Sequence, residues 1–101
     1  MMPAKPVYSG WPACGEIDIM EHLNHDGIVY QTIHSHYKND LGFTKPVPTK
    51  TVSYNKGQFN IFGIEWTPEA LTFKVNGATT LVYPNLHLAD ESVKKQWPFD
   101  T

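Results

Sequence analysis

Apolar and polar residues alternate with a period of two in several segments of this chain, the period of a strand with one face covered and one face wet. In GEIDIMEH, from Gly15, Ile17 and Ile19 share one face while Glu16 and Asp18 share the other, which predicts a first strand. LNHDG, Leu23 to Gly27, supplies a turn. IVYQTIHSHY, Ile28 to Tyr37, predicts a second strand with Tyr30, His34 and His36 on one face. Residues 38–50, KNDLGFTKPVPTK, contain Pro46 and Pro48 and read as a long polar loop placed to border a cleft. FNIFGIEW, 59–66, predicts a third strand that Thr67-Pro68 closes, and Phe62 and Trp66, alternating with Ile61, are expected in the core. LTFKV and ATTLVY flank Asn76-Gly77, a pair suited to a type I′ turn, so these segments predict a hairpin.

Only ADESVKKQ, 89–96, reads as helical, with Asp90 as its N-cap, and its length limits it to one or two turns. Ahead of Gly15, Pro3, Pro6, Pro12 and Gly10 predict an irregular approach. Five strands and one short helix place the chain in the all-β class, as a sandwich.

Composition narrows the function classes. With 101 residues, 41% hydrophobic and 13% aromatic, the chain holds one globular domain at most. A net charge of -2 with 18% charged residues offers no basic face for nucleic acid or an anionic membrane. No apolar run approaches the roughly 18 residues that span a bilayer. Cys14 is the single cysteine, so no internal disulfide forms, and no neighbouring group marks it as a nucleophile.

The chemistry concentrates in Glu16-Ile17-Asp18-Ile19-Met20-Glu21. Strict alternation would send Glu21 into the core, and burying an unpaired carboxylate costs several kcal/mol, so we expect a β-bulge at Ile19-Met20 that returns Glu21 to the acidic face. Three carboxylates this close repel one another, which should raise the pKa of at least one and leave it able to give a proton. A bare acidic strand face is often only solvated. Here Trp11 stands just upstream and Tyr30, His34 and His36 line the next strand, and aromatic rings beside polar groups suit the C–H faces and hydroxyls of sugars.

WPACGEIDIMEH resembles the catalytic signature of glycoside hydrolase family 16, in its bulge-containing, laminarinase-like branch. The resemblance extends through QTIHSHY and FNIFGIEWTPEALTFKVNG to QWPFD. It implies a concanavalin-like β-jelly-roll sandwich that cuts β-linked glycans internally with retention of configuration. It further implies Glu16 as nucleophile, Glu21 as general acid/base and Asp18 as the helper between them. Trp11 resembles the family's stacking tryptophan, His34 falls near a cleft-wall histidine, and Tyr30 is expected to join them in binding substrate. The family's catalytic domain is longer, so residues 1–101 are expected to be a central portion of it, inactive and loosely packed when alone, with its signal peptide outside the chain.

Two rivals come from other classes. His34-Ser35-His36, with His22 and His25 nearby, is half of a metal site, but no third ligand lies in register. A lectin-like jelly roll would bind glycan without cutting, yet binding does not require paired acids. The expectation is a monomeric hydrolase of β-glucan, β-1,3 or mixed β-1,3/1,4, that is extracellular, periplasmic or on the cell surface. The alternative within the fold is an algal β-galactan. No cofactor and no site metal are expected, with a structural calcium left open elsewhere in the full domain.

Overall fold

Period-two alternation builds six strands in the computed structural model, which describes residues 1–90 and 96–100. They are β1 (Glu16–Glu21), β2 (Ile28–His34), β3 (Thr49–Ser53), β4 (Phe62–Trp66), β5 (Ala70–Val75) and β6 (Ala78–Pro84). One short helix, α1 (His36–Asn39), follows β2. The strands form two antiparallel sheets, β1-β2-β3 and β4-β5-β6.

The core lies between the two sheets. Ile17 and Ile33 from the first meet Leu71, Phe73, Leu81 and Tyr83 from the second, and Trp97 and Phe99 join them. Each such side chain, fully buried, contributes roughly 1.5–3 kcal/mol relative to exposure. Gln31 brings a polar group into this layer. Gln31 is fully buried, gives its amide to the Ile19 carbonyl at 3.1 Å and accepts from the Thr80 hydroxyl of the opposite sheet. Its bonds tie the sheets together at no cost in unsatisfied groups.

The hairpin forms as expected, with Asn76 and Gly77 both at positive φ, 51° and 81°. Gly15 also has positive φ, and there a side chain has no room. A Cβ would stand 2.7 Å from Pro98 Cγ and 2.8 Å from a ring carbon of Phe99.

Three expectations need correction. The second strand ends at His34, because Ser35 caps α1 by accepting the Lys38 N–H on its hydroxyl, and His36 thereby leaves the sheet. The polar segment 38–50 is not loop throughout: β3 begins at Thr49 and pairs with β2 along its length. Trp66 is exposed rather than in the core and Phe62 is only half-buried, while Ile61 is exposed as well. On β4 only Ile64 packs against the core cluster, while Ile61 lies before the strand. The helix expected over 89–96 rests on residues 91–95, outside the described residues.

Candidate active site

β1 carries the three acids on the face opposite Ile17. Glu16 stands across from His34 on β2 and Asp18 across from Thr32. Between Asp18 and Glu21 the register slips by one residue, so that Glu21 stands across from Tyr30. This is the expected bulge, and it returns Glu21 to the acidic face. Val29, Gln31 and Ile33 alternate into the core, which turns Tyr30, Thr32 and His34 toward the acids. β3 continues this floor, Thr49 facing Thr32 with their hydroxyls 3.0 Å apart.

Each acid has a distinct environment. Glu16 accepts the indole N–H of Trp11 at 2.8 Å, and the Trp11 ring, half exposed, sits 5.7 Å from the His34 ring. Asp18 faces His34 Nε2 at 3.2 Å. Burial, followed by the charges of Glu16 and Glu21, pushes the Asp18 carboxyl above the ordinary carboxylate range, against an opposing influence from His34. Repulsion among the acids thus has the expected sign, but burial contributes more. Glu21 is exposed and borders an open groove of ≈ 380 Å³ with Leu23, Tyr30, Thr32 and His34. A larger cavity, ≈ 510 Å³, lined in part by Trp66, Asn85, His87 and Trp97, contains none of the three acids.

The structure brings together Trp11, Glu16, Asp18, Glu21, Tyr30 and His34. It separates the histidines of the metal alternative. His36 pairs with Asp40 at 2.6 Å from α1, and His22 approaches the Asp26 carbonyl at 2.6 Å. Among the described residues, the group whose donor atoms could surround an ion is Glu16, Asp18 and His34, all within 4.8 Å of one another. Sequence reasoning missed Lys38 and Asn39, whose side-chain nitrogens reach His34 Nδ1 at 3.3 and 3.1 Å. The signal available was Ser35, a residue type that starts helices, three positions before Lys38.

Two antiparallel sheets, an acid triplet on a bulged strand and a neighbouring tryptophan are the features that the sequence comparison joins. The profile of Glycosyl hydrolases family 16 matches residues 2–100. The chain belongs to this family. Similar relatives include a keratan-sulfate endo-1,4-beta-galactosidase of Sphingobacterium multivorum, 35% identical over 99% of this chain and 23% of its own length. A beta-glucanase of Rhodothermus marinus is 36% identical over 99% of this chain and 36% of its own. The solved laminarinase of Rhodothermus marinus superposes with a TM-score of 0.82 at 30% identity, covering 99% of this chain and 41% of that one. The chain therefore spans about a quarter to two fifths of the length of these relatives. The two sheets are part of the family 16 jelly roll.

Proposed function

We propose that this chain carries the catalytic centre of a retaining, endo-acting β-glucanase for β-1,3 or mixed β-1,3/1,4 linkages. The observation that carries the reading is the bulge, which sets Glu21 on the same face as Glu16 and Asp18. Two carboxyl groups flanking one cleft are what double displacement requires.

Glu16 attacks the anomeric carbon as the glycosidic C–O bond breaks, and Glu21 gives its proton to the departing oxygen. The sugar is then held as an ester of Glu16. Water enters, Glu21 takes its proton, and the resulting attack breaks the ester, so Glu16 leaves as carboxylate and Glu21 as acid. The Trp11 N–H and Asp18 hold Glu16 in line. Asp18 is the helper beside Glu16, its carboxyl raised above the ordinary range by burial first and then by the charges of Glu16 and Glu21. Trp11, Tyr30 and His34 contact the sugars. This chemistry uses only the chain's own side chains.

The glucan preference is supported by the beta-glucanase and laminarinase relatives. A β-galactan is the second reading, favoured by the galactosidase relative at nearly the same identity. A polymer too large to cross a membrane implies an enzyme acting outside the cell, here as a monomer. No helix among the described residues is long and apolar enough to cross a membrane.

Oligosaccharide profiling of the full-length protein on β-1,3-glucan, mixed-linked β-glucan and β-galactans tests the reading. Internal cleavage of a β-glucan with first-formed β-anomers by NMR is expected. First-formed α-anomers would overturn the retaining mechanism, cleavage of galactans alone would overturn the glucan assignment, and no cleavage would overturn both.

A further inference from the structure

The helix that replaces the end of the second strand delivers two donors to the histidine behind Asp18. The Asn39 amide has a fixed orientation, because its Oδ1 accepts the Ser35 backbone N–H at 3.1 Å. Its nitrogen is therefore the atom 3.1 Å from His34 Nδ1. On the same ring nitrogen stands the Lys38 ammonium, at 3.3 Å. An amide NH2 and an ammonium only donate, so Nδ1 must accept, and the ring proton is left on Nε2. That nitrogen lies 3.2 Å from the Asp18 carboxylate.

We propose that Asn39 and Lys38 are positioning residues for the acid triplet: they confine the proton of His34 to Nε2, from which it is donated to Asp18. The inference rests on the reading of Asp18 as part of the catalytic centre. Its physical basis is that a histidine's free nitrogen follows the bond made by the other one. With the opposite tautomer, Nε2 would turn a lone pair toward an acceptor oxygen and the two groups would repel. Asp18 would then lose one of the contacts that keep it beside Glu16.

The isosteric substitution Asn39→Asp separates this role from a purely structural one. An aspartate still accepts the Ser35 N–H but offers Nδ1 an acceptor instead of a donor. In the full-length protein, long-range proton–nitrogen NMR of the imidazole should show Nδ1 unprotonated and Nε2 protonated at neutral pH. In Asn39→Asp, a ring whose proton has moved from Nε2 to Nδ1 should lower kcat on β-glucan about ten- to a hundredfold with little change in KM, whereas a doubly protonated ring still donates from Nε2 to Asp18 and should keep kcat. Lys38→Met, which removes the second donor, should give a smaller fall. The proposal is overturned if the wild-type ring carries its proton on Nδ1 alone, if Asn39→Asp moves the proton from Nε2 to Nδ1 while kcat stays unchanged, or if kcat falls as far while Nε2 keeps its proton. An Asn39→Asp protein that failed to fold would pass the decision to the wild-type spectrum and to Lys38→Met. Full activity in Glu16→Gln would instead overturn the reading of the centre, independently of the tautomer.

Discussion

Trp11 donates its indole N–H to Glu16 Oε2 over 2.8 Å, although the two residues belong to different segments, an irregular approach and the first residue of β1. One residue thus combines an exposed ring, proposed to meet sugar, with a hydrogen bond to the proposed nucleophile. The two contributions are separable. Trp11→Phe keeps a ring and loses the donor, so kcat should fall about five- to tenfold with KM nearly constant, given ~1 kcal/mol for such a bond at an exposed site. Trp11→Ala should raise KM as well. Equal effects of both variants on KM alone would show that the N–H does not matter to Glu16.

Glu16→Gln and Glu21→Gln, each nearly isosteric, should lower polysaccharide turnover by at least about a thousandfold while glycan binding persists. They should differ on aryl glycosides with good leaving groups, where loss of the acid is partly bypassed and loss of the nucleophile is not. Asp18→Asn should cost less than either. Steady-state rates on both substrate types decide it: near-wild-type polysaccharide cleavage by either glutamine variant would remove that residue from the mechanism.

Deleting Met20 would join Ile19 to Glu21 and restore even pairing with β2. All three acids would still face the cleft, so the strand should fold and the protein should melt cooperatively. The spacing of Glu16 and Glu21 would change, and kcat should drop by about ten- to a hundredfold. Collapse of folding in a thermal melt would mean that the bulge serves the sheet rather than the site.

Asp18 gives the site a pH signature in stability. Its carboxyl is raised by burial and then by Glu16 and Glu21, so the folded state holds that proton more tightly than the unfolded chain does. As pH rises from the ordinary carboxylate range through the raised value, this group's contribution falls, because ionisation is easier unfolded. Above that window the cost is fully present. Asp18→Asn cannot ionise, so it should remove this part of the decline and melt above wild type at neutral pH. Melting curves across the acidic to neutral range check the sign, and a variant less stable at neutral pH would show that the charged carboxylate is needed structurally.

The sequence revealed β1 and its acids because alternation there is broken at one place where a carboxylate would otherwise be buried. The hairpin of β5 and β6 was equally legible, since Asn76-Gly77 names its own turn. β3 was not. Its TKTVS carries little apolar signal, and it exists because β2 offers it a pairing edge, a condition that lies in another part of the chain. The end of β2 was misjudged for a related reason: His34, Ser35 and His36 continue the alternation, but Ser35 prefers to cap a helix. That error hid Lys38 and Asn39, which the pattern had placed in a loop. Trp66 and Ile61 show the last limit, since alternation tells which residues share a face and not how fully that face is covered.

Gly15 bears on how the site comes into being. Its missing side chain lets Pro98 and Phe99 press against the backbone just before Glu16, and Phe99 also accepts the Trp66 indole N–H on its carbonyl at 3.2 Å. The entry to β1 is thus held by a segment translated long after it. Contacts between distant parts of a chain form late, because closing the intervening loop costs entropy before any contact rewards it. During synthesis the acid triplet would exist as sequence well before it exists as geometry, and the nascent strand would be without its final support until the aromatic segment has emerged and docked.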